Sequence, residues 1–185
     1  LNFMKVLFLD SDGVINQDFG YVYKIHDFKF KKGIFKLLTK AKDLGFSFFI
    51  VTNQSGIGRG FYNEEDFKIL TNWVKDQFDK KGIIIQKTYF CPHHPIHGVG
   101  RYKKNCQCRK PNSLLFEKAK IDFNIDISKS IMIGDKESDL VAAKKAGVTK
   151  LIFLNQFNNE SKKEYIMAKS IEEISSNFFN IAGLN

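Results

Sequence analysis

The chain reads as an α/β protein: an open parallel sheet with helices on both faces. Three apolar runs that each stop on a polar residue point to it, namely MKVLFLD (4–10), FSFFIVT (46–52) and SIMIGD (130–135). Strands buried on both faces are nearly continuous in apolar residues, and here each delivers Asp or Thr to what would be one shared sheet edge. Stretches of helical period lie between the runs, the alternation that a βαβ sheet requires.

In chain order, residues 33–44 place Ile34, Leu37, Leu38 and Ala41 at helical spacing, and 63–80 form a helix opened by an Asn63 cap. GIIIQKTYF (82–90) and KLIFL (150–154) read as further strands, 112–123 and 137–146 as helices, and 161–180 as a helical tail. In such sheets ligands sit at the carboxyl ends of the strands. With 185 residues, 43% of them apolar, and nineteen phenylalanines, the chain can fill one core, so a single domain over 1–185 is expected. No run approaches the roughly 18 apolar residues of a membrane span, and LNFMKVLFLD lacks a small-residue cleavage site, so a cytoplasmic protein without a signal peptide is expected. The odd count of three cysteines also favours a reducing compartment. The net charge of +9 comes from lysines spread among acids, which reads as a solvated surface with no nucleic-acid or membrane partner.

LFLDSDGV sets Asp10 and Asp12 two residues apart past a buried strand. Carboxylates that close resist joint ionisation unless a cation or proton intervenes, so the pair suits a divalent metal or a nucleophile with an acid/base partner; an Asx turn is the competing explanation. VTNQSGIGRG follows the second strand with Thr52, Asn53, Gln54 and Ser55 before a glycine-rich turn, a set of donors for phosphate oxygens or an ordinary strand-to-helix loop. MIGDKESD brings Asp135 to the third strand end, where it can share Mg²⁺ with Asp10, and Asp139 one turn into a helix, where an acid is also favoured by the helix dipole.

CPHHPIHGVGRYKKNCQCRKP (91–111) holds every cysteine and three of the four histidines. Cys91-x-His93, twelve residues, then Cys106-x-Cys108 matches a tetrahedral structural zinc in a loop over 91–109, with His94 and His97 as rival ligands and free thiols or a redox pair as the competing explanation. Arg101, Lys103 or Lys104 can offset the negative charge that three thiolates leave on such a centre. Only residues 11 to 51 separate Asp10 from Thr52, so no large lid fits there, and the flap 15–28 and the cysteine loop must wall the pocket, with Tyr21, Tyr23 and His26 as candidate lining.

The joint order of Asp-x-Asp-Gly, strand-Thr-Asn, Lys, and Gly-Asp-x-x-x-Asp resembles the haloacid dehalogenase superfamily of phosphohydrolases over residues 4–154. The resemblance implies a Rossmann-like fold without a large cap domain. It further implies that Asp10 attacks phosphorus, that Asp12 protonates the leaving oxygen and then activates water, and that Thr52 and Lys110 hold the phosphoryl group. Mg²⁺ would be bound by Asp10, the Asp12 carbonyl oxygen and Asp135.

FLDSDGVIN, VTNQSGIGRGFY, CPHHP, CQCRKP and GDKESD together resemble the zinc-containing D,D-heptose 1,7-bisphosphate 7-phosphatases, relatives of the histidinol-phosphate phosphatases. That resemblance implies Zn²⁺ on Cys91, His93, Cys106 and Cys108. It also implies contacts to a small phosphorylated sugar from Asp18, Phe19, Gly20, Tyr21, Thr52, Asn53, Gln54, Ser55, Arg109, Lys110 and Lys136. A monomer serving nucleotide-activated heptose synthesis for lipopolysaccharide or another surface polysaccharide is the corresponding expectation. Two residues depart from the group: Ser11 stands where Arg is common, and Gly58 where Ala is usual. Ser11 is expected to point away from the chemistry. The rival functions are histidinol-phosphate phosphatase, nucleic-acid 3′-phosphatase, and a non-catalytic zinc-bearing binding module.

Overall fold

The computed structural model describes residues 3–155 and 164–183. Six strands, β1 (Val6–Leu9), β2 (Ser47–Asn53), β3 (Ile85–Cys91), β4 (Ile131–Gly134), β5 (Lys150–Leu154) and β6 (Ile166–Ala168), form one parallel sheet in the order β3-β2-β1-β4-β5-β6. The helices are α1 (Ile34–Asp43), α2 (Ser55–Gly58), α3 (Glu64–Asp79), α4 (Leu114–Phe123), α5 (Glu137–Ala146) and α6 (Ile171–Ala182). No helix among the described residues is long and apolar enough to cross a membrane.

Alternation along the strands sorts the core into two layers. Leu7, Leu9, Ile50, Ile131 and Ile133 pack with Ile34, Leu37 and Leu38 of α1, Leu70, Val74 and Phe78 of α3, and Ile174 and Phe178 of α6. Val6, Phe8, Phe49, Val51 and Met132 face the other way onto Leu115, Phe116 and Ala119 of α4 and Leu140 and Ala143 of α5. Each large apolar side chain so buried contributes roughly 1.5–3 kcal/mol. The core therefore holds the strand ends rigidly, and polar groups placed there need no further scaffold.

Element boundaries follow local chemistry. Asn63 caps α3 through Oδ1, which accepts from the Asp66 N–H at 2.8 Å, while the Asn63 N–H donates to Asp66 Oδ2 at 2.9 Å. The third strand begins at Ile85, later than the run from 82, because Gly82 closes α3 at φ +66°. The helical tail needs the larger correction. Residues 161–163 lie outside the described ones, and Ile166–Ala168 pair with Ile152–Leu154 as a sixth strand before α6 starts at a Ser170 cap. Three residues give no period to read, and their strand character comes wholly from the edge of β5.

The chain departs from β1 to β2 and β3 on one side and returns to β4 on the other side of β1. That reversal opens a crevice between the ends of β1 and β4, where Asp10 and Asp135 emerge. The cysteine loop leaves from the end of β3 and is sutured to α2, with the Val99 N–H donating to the Gly58 carbonyl at 2.8 Å. A Cβ on Gly58 would lie 2.4 Å from the Pro92 carbonyl oxygen, so the loop sits closer to α2 than an alanine there permits.

Gly58→Ala should therefore lower the unfolding free energy by about 1–2 kcal/mol, overpacking outweighing the gain in helix propensity. A urea denaturation midpoint equal to or above that of the parent would show instead that the loop yields.

Candidate active site and cysteine cluster

Asp10 follows β1 directly and is 5% exposed. Its Oδ1 accepts from Lys110 Nζ at 2.9 Å; the same ammonium lies 2.7 Å from Asp139 Oδ1 and donates to the Val51 carbonyl at 2.7 Å. Lys110 is thus a buried cation with its three N–H groups all engaged. Burial alone would push its pKa down, but the charges of Asp10 and Asp139 outweigh burial and hold it up.

The sequence places Asp139 as a helix-start acid. It fills that reading, since Oδ2 accepts from the Lys136 N–H at 3.1 Å, and in addition pairs with Lys110, a function that sequence reasoning missed. The available signal was its position four residues past Asp135, which returns the side chain toward the strand end. Burial, then the charge of Asp10, pushes the Asp139 carboxyl up, with Lys110 opposing.

Asp12 turns away from Lys110 into a polar bracket. Asn16 Nδ2 donates to its Oδ1 at 2.8 Å and Gln54 Nε2 to its Oδ2 at 3.2 Å. Gln54 Nε2 also reaches Thr52 Oγ1 at 3.1 Å, and Tyr62 donates to Gln54 Oε1, which fixes the amide's orientation. Burial, partly offset by the Asn16 bond and reinforced by the charge of Asp10, raises the Asp12 carboxyl to about 6. A carboxyl held there can both give and take a proton near neutral pH. Asn16, Gln54 and Tyr62 together form an orienting set of which only Gln54 was expected, and in the role of a phosphate donor. Ser11 supports this bracket from behind, its Oγ donating to Asn16 Oδ1 at 3.3 Å.

These groups open into a pocket of about 310 Å³. Of the expected sugar contacts, Asp18, Gly20, Tyr21, Thr52, Asn53, Gln54, Ser55, Lys110 and Lys136 line it. Lys136 leans on Asp18 at 3.5 Å. Phe19 instead faces a neighbouring cleft of about 670 Å³ that also reaches Asp135. Arg109 is not among the lining residues, because its Nη1 donates to the His93 carbonyl at 3.1 Å. Of the three flap candidates, Tyr21 lines the pocket, Tyr23 stacks on Tyr62 with centroids 5.0 Å apart, and His26 is exposed and paired with Asp27.

Asn53 acts as a clamp: its Oδ1 accepts from the Lys110 N–H at 3.0 Å and its Nδ2 donates to the Lys110 carbonyl at 3.1 Å. The Gln54 N–H donates to the Cys91 carbonyl at 2.8 Å. The first and last parts of the cysteine loop are therefore both pinned to the same turn after β2.

The donor sets fit two metals. Asp10, Asp135 and Asp139 offer oxygens within 4.8 Å of one another, and Asp135 Oδ1 is buried without a hydrogen-bond partner. Burial, then the charge of Asp10, raises the Asp135 carboxyl to about 7. Its Oδ2 lies so near Gly13, at φ +89°, that a Cβ there would meet it at 2.2 Å. In the loop, the sulfurs of Cys91, Cys106 and Cys108 lie 3.1–3.5 Å apart, with His93 Nδ1 3.2 Å from Cys108 and 3.6 Å from Cys91. Ligands around a tetrahedral Zn²⁺ lie about 3.5–3.8 Å from each other, close to this spacing. His94 is turned away, its Nδ1 accepting the N–H groups of Ile96 at 3.2 Å and His97 at 3.0 Å, and the His97 ring lies tilted against it with centroids 4.9 Å apart.

Comparison with known proteins agrees with this architecture. The HAD-hydrolase-like family model matches residues 107–172. The D-glycero-alpha-D-manno-heptose-1,7-bisphosphate 7-phosphatase of Burkholderia mallei is 51% identical over 144 residues, 78% of this chain and 76% of that protein. The D-glycero-beta-D-manno-heptose-1,7-bisphosphate 7-phosphatase of Vibrio cholerae is 47% identical over 79% of each chain. Among solved structures, a HAD-like phosphatase of Mesorhizobium loti superposes with a TM-score of 0.87 at 25% identity, over 99% of this chain and 88% of that one. The D,D-heptose 1,7-bisphosphate phosphatase of B. bronchiseptica, complexed with magnesium and phosphate, shares the fold with a TM-score of 0.80 at 22% identity, over 96% and 99%. Half-identity across three quarters of both sequences is decisive: the chain belongs to the heptose-1,7-bisphosphate 7-phosphatase family of HAD-like hydrolases.

Proposed function

We propose that the protein hydrolyses the 7-phosphate of D-glycero-D-manno-heptose 1,7-bisphosphate through an aspartyl-phosphate on Asp10. The reaction type is carried by one observation, the buried Lys110 ammonium paired with both Asp10 and Asp139 at the strand ends. The substrate is carried over from relatives of that name at 51% and 47% identity.

In this reading Asp10 forms a bond to phosphorus as the bond to the sugar oxygen breaks, and Asp12 gives its proton to that oxygen. Asp12, again ionised, then takes a proton from the water that cleaves the aspartyl-phosphate. Bracketing by Asn16 and Gln54 keeps Asp12 aimed across from Lys110 throughout. Thr52 and Lys110 supply donors and charge to the transferring phosphoryl oxygens, and Lys136 adds a second cation at the rim. Mg²⁺ held by Asp10, Asp135 and the Asp12 carbonyl would neutralise charge on those oxygens. Zn²⁺ on Cys91, His93, Cys106 and Cys108 would fix the loop that ends in Lys110.

Asp10→Asn should abolish turnover of the bisphosphate, both α and β anomers being assayed, with the circular dichroism spectrum and melting temperature close to the parent's. Substantial residual turnover would remove Asp10 from the nucleophile position, and a parent that prefers histidinol phosphate would overturn the substrate.

Asn53→Ala should lower kcat about 10-fold or more with a smaller change in KM, because the Lys110 backbone loses two hydrogen bonds worth roughly 1 kcal/mol each. An unchanged kcat would show that Lys110 is held well enough by its own ion pairs.

The purified protein should carry one equivalent of zinc by elemental analysis. Stripping it should lower the melting temperature by about 10 °C or more, equivalent to losing several kcal/mol, and open 91–109 to proteolysis. Unchanged melting and protection after complete removal would rule out the structural role.

A further inference from the structure

Thr88 carries a hydroxyl that neither the sheet nor the site described above uses. It stands in β3 opposite Ile50 of β2, so its side chain lies on the α3 side of the sheet. Its Oγ1 is shielded from solvent and has no hydrogen-bond partner among the described residues. A buried hydroxyl left unpaired is costly, and an internal water commonly satisfies such a group. There is space for one. Thr88 borders a cavity with about 20 Å³ open to the centre of a water molecule, against the roughly 10–15 Å³ that one water requires.

The cavity adjoins the bracket that holds Asp12. Ser11, Asp12, Gln54, Thr71 and Thr88 give it polar groups, and apolar side chains of β2, α3 and the flap close the rest. Acceptors are left over at the bracket. Each Asp12 oxygen accepts one amide N–H, from Asn16 and from Gln54, whereas a carboxylate has about four lone-pair sites. Gln54 Oε1 likewise accepts one bond, from Tyr62, and both N–H groups of its Nε2 are committed to Asp12 and Thr52. This wall of the cavity therefore has room for a donor, and the Thr88 hydroxyl has a proton to give, yet no direct bond joins them. A water that accepts from Thr88 Oγ1 and donates to Asp12 or Gln54 satisfies both sides. Phe67, Thr71 and Thr88 also line a surface groove beside α3 and β3, which offers such a water a way in apart from the substrate pocket.

We infer that Thr88 holds a buried water against Asp12 and Gln54 and is thereby a positioning residue for the acid/base carboxyl. This rests on the role given to Asp12 above. Asn16 and Gln54 restrain Asp12 directly, and the water adds a third restraint from the cavity side. Thr88 does not line the substrate pocket, so its effect falls on how well Asp12 is aimed and enters kcat rather than substrate binding.

The test joins crystallography to kinetics, both on the metal-loaded enzyme. A crystal structure should show one ordered water within hydrogen-bonding reach of Thr88 Oγ1 and of Asp12 or Gln54; a dry cavity, or a water bonded to Thr88 alone, would overturn the inference. Thr88→Val keeps the shape of the side chain and removes the hydroxyl. It should lower kcat by about 3- to 10-fold while KM stays within about twofold. Thr88→Ser keeps the hydroxyl and loses a methyl, and should hold kcat within about twofold of the parent's even where its melting temperature drops. An unchanged kcat in Thr88→Val, or an equal loss in Thr88→Ser, would reduce Thr88 to a packing residue. Heptose 1,7-bisphosphate is the substrate, with p-nitrophenyl phosphate in its place should the parent not accept the sugar, so a wrong substrate leaves the comparison intact. Asp12→Asn, run alongside, separates the two readings. If it keeps the parent's kcat, or if the parent cleaves neither ester, the acid/base role of Asp12 falls and the positioning role with it, and the electron density alone decides the water.

Discussion

One buried ammonium organises the catalytic end of this sheet. Removing Lys110 from water costs several kcal/mol, and the attraction of two carboxylates offsets it only if each N–H finds a well-placed acceptor. Asp10, Asp139 and the Val51 carbonyl provide three, from the end of β1, the first turn of α5 and the C-terminal half of β2. The three elements are not neighbours in sequence, so the ammonium locks their relative positions as well as their charges. Leaving any one acceptor unpaired would expose the full desolvation penalty, which makes the geometry hard to deform.

The cysteine loop follows from that demand. Lys110 approaches from a segment with little apolar content, which has no core of its own to hold it in place. Two restraints replace a core: the Asn53 clamp on the Lys110 backbone, and the convergence of Cys91, His93, Cys106 and Cys108 on one centre. A flexible lysine on an untethered loop would pay side-chain and backbone entropy each time it entered the site. A loop closed by a metal on those four side chains would have lost that freedom already. Gly58 belongs to the same economy of space, since the absence of a Cβ lets the loop's start at Pro92 close directly on α2.

Much of this was legible in the sequence because strand ends are legible. Asp10, Thr52 and Asp135 each close an apolar run, and the sheet's rigidity makes position along a run equivalent to position in space. What escaped has the opposite character. Asp139 looked like ordinary helix-start chemistry, and its partner Lys110 is far away along the chain. Asn16, Gln54 and Tyr62 bracket Asp12 through side-chain bonds for which no periodicity exists. Arg109 is expected to contact substrate from its place beside Lys110; in the structure its guanidinium donates to the His93 carbonyl, a bond that no spacing in the sequence announces. The flap that carries Phe19 and His26 is largely irregular, and such a segment gives no rule for which side chains face inward.

The charges around the pocket impose an order on binding. Asp10, Asp12, Asp135 and Asp139 bring four carboxyl groups to the strand ends, against the two ammonium groups of Lys110 and Lys136. Fully ionised, that set is anionic and would repel a phosphate dianion. Two changes in the proposed reaction reverse the balance: a divalent cation beside the unpartnered Asp135 oxygen, and a proton on Asp12, whose carboxyl is already raised toward neutrality by burial. Each leaves the others intact, because Asp12 is bracketed by Asn16 and Gln54 and the Asp10–Lys110–Asp139 pairing does not involve it. The acid that protonates the leaving oxygen and the charge that receives the phosphoryl group thus have separate hydrogen-bond partners, while the charge of Asp10 still helps to raise Asp12.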